Sequence, residues 1–262
     1  MPRVLARPRN DPGQYDDLAD QWWRPDGEFA ALHWLAAARA QLIPPAARPD
    51  AVLVDLGCGG GLLAPHVQGY RHVGVDLVAS AARVAARNGV AALQADVTRL
   101  PLGDEIADVV VAGELFEHLE DPEACVAEAA RILRPAGMLV CDTINDTWWS
   151  RLSLVAIGER MPGGPPRRIH NPDLFVAPER LIAACARNGI RLDVRGLRWS
   201  VPGYGAFLAA GWVGAQSRLR AVRMLPTRSL SAVYQGIGRK AGVPAGRGDD
   251  GDSGEGLRWP TR

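Results

Sequence analysis

A glycine-rich turn between a short strand and a helix is the feature that most limits what this chain can fold into. Residues 51–56 (AVLVDL) are apolar and rich in valine and predict a strand, and residues 57–61 (GCGGG) follow at once. Residues 62–67 can begin a helix. Glycine lets a backbone turn tightly and approach a ligand without a Cβ in the way. The arrangement predicts a nucleotide-binding loop, whereas a plain glycine turn would not require the strand and helix around it.

Further apolar bursts alternate with helical patterns after this loop. Because the strands are separated by helical stretches of roughly ten to fifteen residues, we expect right-handed crossovers and a parallel sheet. The sequence therefore predicts an α/β fold, with one or two cap helices within residues 15–43. The later predicted strands are 71–77, 90–95, 106–112 and 138–144, and the predicted helices are 79–88 and 123–133, the second ended by Pro135-Ala136-Gly137.

Composition limits the compartment and the partners. The 30 basic and 29 acidic side chains give no global attraction to nucleic acid, and no Asn- or Asp-Pro-Pro-aromatic tetrad follows the fourth predicted strand, so we expect no nucleic-acid partner. No apolar run approaches about 18 residues, and residues 1–3 do not open a signal peptide, so we expect a cytoplasmic protein that does not span a membrane. The four cysteines form no CxxC pair and are interpreted as reduced thiols.

The distribution of apolar residues predicts one domain with two loose ends. Residues 1–13 are rich in proline, arginine and turn formers and predict a disordered arm. Residues 243–262 carry an acidic cluster and little apolar material and predict a disordered tail. Residues 14–242 are then a single domain, with a cap at 14–45, a cofactor core at 50–145, and a lid and C-terminal part at 146–242.

The spacing of glycines and carboxylates indicates which nucleotide the loop would hold. The dinucleotide pattern GxGxxG needs a glycine where Leu62 stands. Asp55 lies inside the first strand, and Asp76 ends the second strand 19 residues after Gly57, where a carboxylate can accept two ribose hydroxyls. Asp96 ends the third strand, in place for an adenine amino group. Because the pocket lacks a phosphate-binding motif, it suits a cationic sulfonium such as S-adenosylmethionine better than NAD.

Glu114, Glu117 and His118 follow the fourth predicted strand and share one face of a predicted helical turn. Three such groups can hold a divalent cation such as Mg²⁺, although a histidine among oxygens is imperfect for it. They can instead supply a general base with an orienting carboxylate, or merely shape the pocket. The residues alone leave these alternatives open.

Strings on both sides of the core are longer and more specific than the glycine loop. Residues 51–144 resemble the class I S-adenosylmethionine-dependent methyltransferases, and with the flanks they resemble the ubiquinone-biosynthesis O-methyltransferases over about residues 15–195. The flanking strings are YDDLADQWW at 15–23, DGEF at 26–29, LH at 32–33, DTIN at 142–145, WW at 148–149, RIHNP at 168–172 and FVAP at 175–178.

The resemblance implies a fold and a set of site residues. The fold is a Rossmann-like class I methyltransferase sheet with helices on both faces, a helical N-terminal cap and a lid insertion after strand 5. Gly113 stands where the family often has a larger residue, so its match rests on the backbone only, and the segment after Gly196 is longer than the family pattern. The resemblance assigns Arg39, Gly57, Asp76 and Gly113 to the cofactor, and Glu114, Glu117 and His118 to a metal. With the residues chosen from spacing and position, the full cofactor set is Arg39, Asp55, Gly57, Gly59, Asp76, Leu77, Asp96, Val97 and Gly113; the metal set is Glu114, Glu117 and His118; the catalytic pair is His118 and Glu117; the substrate and lid set is Trp148, Trp149 and His170.

The implied reaction is methyl transfer from S-adenosylmethionine to a phenolic hydroxyl, on a small hydroquinone or catechol that includes polyprenyl quinol precursors. A methyltransferase of secondary metabolism acting on another phenol or on a polyketide would carry the same core. A non-catalytic regulatory protein that binds the cofactor is a further alternative, although Asp76 and the glycines are kept. The oligomeric state is not indicated by the sequence.

Residues 148–161 (WWSRLSLVAIGERM) predict an amphipathic lid helix, followed by a hinge at 163–166 (GGPP). Fourteen residues are too few to span a bilayer but enough to lie in its interface. The predicted apolar face therefore either covers the active site or touches a membrane. Its members are Trp148, Trp149, Leu152, Val155 and Ala156.

Overall fold

The computed structural model describes residues 7–24, 26–213, 222–242 and 259, with the backbone alone for 211–213. Eight strands of these residues form one sheet, which confirms the predicted α/β class. The strands are β1 (Val52–Leu56), β2 (Arg71–Asp76), β3 (Ala91–Gln94), β4 (Ala107–Gly113), β5 (Leu133–Ile144), β6 (Ile190–Trp199), β7 (Met224–Thr227) and β8 (Val233–Lys240).

The order across the sheet is β3-β2-β1-β4-β5-β8-β6-β7. Strands β1 to β5 run parallel, β8 lies antiparallel between β5 and β6, and β7 is antiparallel to β6 at the edge. The chain builds outward from β1 to β3 and then crosses to β4 on the other side. A crevice opens where the strand order reverses, beyond the carboxyl ends of β1 and β4, and this is where open α/β sheets bind ligands.

Helices cover both faces of the sheet, as the resemblance implied. Val54 and Val110 face a core that includes Val126 and Leu181 of two helices, while Leu53 and Val109 face the opposite side, towards Ala40. The run of valines in β4 is therefore buried on both faces. The described helices are α1 (Gly13–Asp17), α2 (Ala30–Ala40), α3 (Ala79–Arg87), α4 (Pro122–Ile132), α5 (Trp148–Ser150), α6 (Pro178–Arg187) and α7 (Val201–Val213), with 3₁₀ turns at Ala64–His66, Phe116–His118, Gly158–Arg160 and Pro172–Leu174.

Two local predictions are wrong. The segment 62–67 forms only the 3₁₀ turn Ala64–His66, because the backbone is already extended at Val67. Pro135-Ala136-Gly137 does not separate the helix from the strand, because β5 already begins at Leu133. A shift of register between β4 and β5 at Ala107 and Val109 accommodates the extra residues.

The lid segment, residues 148–166, is not one amphipathic α-helix. Thr147 and Ser150 form a capping box that starts α5. The chain continues as a π-helix, Arg151–Ile157, and then as the 3₁₀ turn Gly158–Arg160. The wider turn splits the predicted apolar face, so that Val155 is buried while Trp148 is 73% exposed. None of the described helices is long and apolar enough to cross a bilayer.

Part of the predicted disordered arm contacts the domain. Arg9 pairs with Glu159 at 2.7 Å, and Asn10 hydrogen-bonds to His118. Of the predicted tail, residues 243–258 and 260–262 lie outside the described residues, but Trp259 packs under the guanidinium of Arg195, 4.0 Å from its ring centroid. The sequence missed these contacts because each joins residues far apart in the chain.

Candidate active site

A cavity of about 550 Å³ opens at the carboxyl ends of β1, β2 and β4, a size typical of small-molecule sites. It brings together residues that the sequence analysis selected separately along more than 130 positions of the chain. Glu117 lies beneath it, fully buried, and Trp148 lies at the surface. The selected residues that line it are Arg39, Asp55, Gly57, Gly59, Asp76, Leu77, Asp96, Val97, Gly113, Glu114, His118, Trp149 and His170.

The cap, residues 14–45, packs against the glycine loop, residues 57–61, through two tryptophans. Gly57 and Gly59 have φ of +65° and +52°, a region that side chains disfavour. A Cβ on Gly59 would lie 2.5 Å from the ring of Trp22, and the indole N–H of Trp23 donates to the carbonyl of Gly60 at 3.0 Å. The glycines therefore serve two needs, a left-handed turn and the close approach of the cap tryptophans.

Asp76 is held by one backbone N–H of the glycine loop and one of the residues that follow β2. Its two carboxylate oxygens accept one hydrogen bond each, from the N–H of Gly59 and of Val78, both at 2.8 Å. Burial raises the pKa of Asp76, and these two backbone donors oppose the rise. The carboxylate is thus held in one orientation at the edge of the cavity.

The second carboxylate, of Asp96, lies just after β3 and is exposed to the cavity. Oδ1 of Asp96 accepts from the N–H and the hydroxyl of Thr98, and these bonds lower the pKa of Asp96. Leu77 is 55% exposed, an unusual state for leucine that leaves an apolar surface open between the two carboxylates. Two acceptors and an apolar surface suit a nucleoside.

Arg39 reaches the cavity from α2 and fills the space that Gly113 leaves. Its Nε and Nη2 donate to the two carboxylate oxygens of Asp142, each at 2.6 Å, and both side chains are buried. Burial works against the charge of Arg39, but Asp142 raises its pKa, so the guanidinium stays charged. A Cβ on Gly113 would lie 1.8 Å from Cζ of Arg39. The pair ties the cap helix to the ends of β4 and β5.

Glu114, Glu117 and His118 do not share the face of one α-helical turn, as the sequence analysis predicted. Glu114 has φ +49°, and only Phe116–His118 forms a 3₁₀ turn. The reversal at Glu114 separates its side chain from the imidazole, so the cluster that can chelate an ion is different. One ligand atom each of Glu117, His118 and His170 lie within 4.8 Å of one another.

Glu117 is a buried carboxylate beneath the cavity. Its Oε2 accepts from the hydroxyl of Thr143 at 2.6 Å, while its Oε1 has no hydrogen-bond partner. Burial raises the pKa of Glu117 to about 7, and the Thr143 hydroxyl opposes the rise. Burial also raises the pKa of Glu114 well above its usual value, with the charge of Glu117 as the next cause. A carboxyl group that titrates near neutral pH is suited to proton transfer.

His118 sits between the cap, the arm and the lid segment. Its Nδ1 lies 2.5 Å from Oδ1 of Asn10, its Nε2 lies 3.4 Å from the hydroxyl of Tyr15, and its ring stacks on His170 at 5.2 Å. Burial lowers the pKa of His118 to about 4, so the imidazole is neutral at neutral pH. A neutral imidazole keeps one nitrogen lone pair available to accept a proton.

The sequence analysis gave no role to several of these contacts. Tyr15, Trp22 and Asp142 lay inside the strings that carry the resemblance, which was the available signal. Asn10 carried no signal, because its partner is 108 residues away in the chain.

Comparison with known proteins decides the family. A model of the family described as "Methyltransferase domain" matches residues 54–141. The ubiquinone biosynthesis O-methyltransferase of Neisseria meningitidis serogroup C is 32% identical over 205 residues, which cover 72% of this chain and 84% of that protein. The chain belongs to the ubiquinone biosynthesis O-methyltransferase family. A second member, from Cupriavidus pinatubonensis, is 32% identical over 207 residues that cover 74% and 83% of the two chains.

This protein is thus an S-adenosylmethionine-dependent O-methyltransferase. Among solved structures, a Thermotoga maritima S-adenosylmethionine-dependent methyltransferase, described as a possible histamine N-methyltransferase, has a TM-score of 0.57. It is 18% identical, and the match covers 87% of this chain and 97% of that one. At this identity the likeness shows the fold, which is the Rossmann-like methyltransferase fold that the resemblance implied.

Proposed function

We propose that S-adenosylmethionine binds in the half of the cavity that the glycine loop and the ends of β2 and β3 form. Asp76, held by two backbone N–H groups, accepts the ribose hydroxyls, and Asp96 accepts from the adenine amino group. Leu77, whose side chain is exposed at the cavity, packs against the adenine ring. Asp55 and the backbone of Gly57 and Gly113 line the inner end, where the methionine part lies.

Asp76→Ala is expected to weaken S-adenosylmethionine binding by roughly 1.5–3 kcal/mol, the scale of hydrogen bonds that involve a charged group. Calorimetric titration measures the affinity directly. Asp50→Ala, which removes an exposed carboxylate ahead of β1, is the matched control and should bind normally. Unchanged affinity in a folded Asp76→Ala protein would remove the ribose assignment.

The other half of the cavity is apolar and supports a phenolic acceptor. We propose a hydroquinone or catechol whose ring lies between His118 and the lid segment, including polyprenyl quinol precursors. The shared ubiquinone name of the relatives supports this class of acceptor. This acceptor compartment is lined by Leu35, Ile144, Leu154, Met161, Trp199, Met224 and Val233.

The observation that carries the proposal is the place of His118 on the wall of this one cavity, with Nδ1 against Asn10 and Nε2 towards Tyr15. Bound S-adenosylmethionine supplies a methyl group that is already activated by the sulfonium, so the protein must align the acceptor and remove its proton. A phenol has a pKa near 10, so deprotonation at pH 7 costs roughly 4 kcal/mol. His118 takes this proton on its free ring nitrogen, and the carboxylate of Glu117 stabilises the imidazolium that forms.

The donor set at the site does not fit Mg²⁺. Mg²⁺ prefers oxygen ligands in octahedral geometry, whereas the residues that converge are one carboxylate and two imidazoles, of Glu117, His118 and His170. Glu114, the third ligand of the predicted set, is not among the three residues whose ligand atoms converge. We therefore derive no step of the reaction through Mg²⁺.

Glu117 is expected to give the reaction a pH dependence. Because burial raises the pKa of Glu117 to about 7, the carboxylate that stabilises the imidazolium forms as pH rises through that value. We expect kcat to increase between roughly pH 6 and 8 and then level off. Glu117→Gln should lower kcat and abolish the increase, measured at saturating substrates in the presence of a chelator. An unchanged increase in this variant would assign the titration to another group.

A phenol of secondary metabolism is a second candidate acceptor, favoured by one observation. Trp199, Tyr204 and Met224 line the cavity, and they belong to the segment after Gly196 that departs from the family pattern. Steady-state kinetics with demethylated quinols of increasing prenyl length, and with simple catechols, distinguish a prenylated quinol from a small phenol as the acceptor. A KM that falls as the chain lengthens supports the prenylated quinol, and equal KM values support a small phenol. No methylation of any phenol would overturn both.

We also propose that the lid segment touches the membrane from which a prenylated quinol is taken. Trp148 is 73% exposed, and Leu152 and Ile157 are 40% and 47% exposed along the π-helix. Trp149, next to Trp148, lines the cavity, so this surface is continuous with the cavity mouth. Exposed tryptophans beside apolar side chains are typical of interfacial segments.

Trp148→Ala/Leu152→Ala is expected to reduce co-sedimentation with anionic liposomes several-fold, since it removes most of the exposed apolar area of the lid segment. The charge-reversed control Arg87→Glu, on α3, changes the net charge without touching this surface and should pellet almost as the unchanged protein does. Equal and negligible pelleting of all three proteins would reject membrane contact and favour a water-soluble acceptor.

A further inference from the structure

Asn10 makes two hydrogen bonds with the same histidine. Its amide Nδ2 donates to the main-chain carbonyl of His118 at 2.9 Å, and its Oδ1 lies 2.5 Å from Nδ1 of the His118 ring. Among the described residues, no other side chain hydrogen-bonds to Nδ1 of His118. Part of the arm, which the sequence predicts to be disordered, is therefore hydrogen-bonded to His118, the base of the proposed reaction.

The first of these bonds fixes the chemistry of the second. A carbonyl oxygen can only accept, so the NH₂ group of Asn10 must face the main chain of His118 and its oxygen must face the ring. An amide oxygen also only accepts, so Nδ1 must carry the proton of the neutral ring. The lone pair is then on Nε2, which lies 3.4 Å from the hydroxyl of Tyr15, a residue that lines the cavity.

Several contacts hold Asn10 in this place. Arg9 donates to the buried carboxylate of Glu159 at 2.7 Å and to the carbonyl of His170 at 2.8 Å. The N–H of Asn10 donates to the carbonyl of Arg168 at 3.1 Å. Asn10 has φ +59°, a conformation that asparagine adopts more readily than most residues. The arm is thus bound both to the lid segment, at Glu159, and to the residues that follow it, at Arg168 and His170.

We propose that Asn10 is a positioning residue, which holds His118 as the Nδ1–H tautomer, with Nε2 unprotonated on the side of Tyr15 and able to take the acceptor proton. The inference rests on the proposed function of His118. The inference gives the arm that contains Asn10 a role in the reaction, which is to orient His118. The imidazole of a histidine reacts through one nitrogen, and the partner of the other nitrogen decides which one.

Two substitutions separate the parts of this role. Asn10→Gly keeps the positive φ but removes both side-chain bonds, so solvent decides the tautomer. Asn10→Asp also tolerates this φ and keeps an acceptor opposite Nδ1, so it should restore the tautomer although it cannot donate to the carbonyl of His118.

The test is the nitrogen spectrum of the ring in the full chain labelled with ¹⁵N-histidine. The protein has five histidines, and the signals of His118 are those absent from His118→Gln. We expect a protonated Nδ1 and an unprotonated Nε2 in the unchanged protein and in Asn10→Asp, and a mixture in Asn10→Gly. A protonated Nε2 in the unchanged protein, or the same spectrum in Asn10→Gly, would overturn the inference whatever the activity.

Kinetics then connect the tautomer to the reaction. Asn10→Gly should lower kcat roughly 10- to 100-fold, within the range that a general base supplies, without changing KM for S-adenosylmethionine. Asn10→Asp should recover most of the loss. A loss that Asn10→Asp does not recover, or a rise in KM alone, would mean that the arm is merely structural. Full activity of His118→Gln would instead reject the proposed function and leave the spectral test standing.

Discussion

Gly113→Ala is expected to destabilise the folded protein by about 3–5 kcal/mol, although it adds a single methyl group. The new Cβ would lie 1.8 Å from Cζ of Arg39 and 2.2 Å from its Nε, so the guanidinium must leave its place. Asp142, which is fully buried, would then lose the partner that holds both of its oxygens. A buried carboxylate without its partner is costly, and this cost, not the methyl group itself, sets the size of the effect.

Chemical denaturation measures this change, and two variants make it specific. Gly103→Ala adds a methyl group that meets only Ile106, at an ordinary 3.5 Å, and should change the free energy of unfolding by less than about 0.5 kcal/mol. In the background of Arg39→Ala, which is itself destabilising, the Gly113→Ala change should cost little more, because the atoms that it meets are gone. Additive losses in the double variant would contradict the assigned contact.

His118→Gln is expected to lower kcat by roughly 10²- to 10⁴-fold while leaving the affinity for S-adenosylmethionine unchanged. The imidazole is the group at the boundary between the two halves of the cavity that is neutral at pH 7, since burial lowers its pKa to about 4. Glutamine keeps much of the volume but cannot take the phenolic proton. The carboxylate of Glu117 alone would then have to accept a proton from beneath the cavity.

Steady-state kinetics and calorimetry on the same preparation test this separation. His66→Gln is a matched control, because His66 lies exposed in the 3₁₀ turn that follows the glycine loop. It should keep its full kcat. A loss of less than about threefold in His118→Gln would mean that another group removes the proton.

The parallel part of the sheet was predictable, because its strands follow one simple pattern. The run of valines in β4 can only be satisfied between two layers of helices, and Gly57 marks the end of β1. The antiparallel strands were not predicted. In β6, apolar residues alternate with Arg191, Asp193 and Arg195, and such half-exposed strands give a weaker signal than a buried parallel one.

The residues that line the cavity were largely predictable, but the local geometry was not. All nine residues of the expected cofactor set line one cavity, because strand ends and the loops after them meet at one edge of a parallel sheet. The positive φ of Glu114 broke the assumed helical turn, and His170 takes the place of Glu114 in the cluster with Glu117 and His118. A turn set by tertiary contacts does not follow from the spacing of three residues in the chain.

Contacts over long separations explain what the sequence analysis missed. Arg39 and Asp142 are 103 residues apart, and Asn10 and His118 are 108 apart. The guanidinium of Arg39 occupies the space that a side chain at position 113 would fill. In the sequence, Gly113 was visible only as a departure from the family pattern. The structure explains this departure, because Arg39 is the neighbour that needs the space.

The central claim is that this protein transfers the S-adenosylmethionine methyl group to a phenolic oxygen with His118 as the base. The most direct measurement follows the methyl group of isotope-labelled S-adenosylmethionine into a demethylated quinol, in the presence of a chelator, and locates the label in the product by nuclear magnetic resonance. The account predicts label on one phenolic oxygen, formed rapidly by the unchanged protein and at least a hundredfold more slowly by His118→Gln. Tight binding of the cofactor without transfer to any phenol, or transfer to carbon or nitrogen, would contradict it.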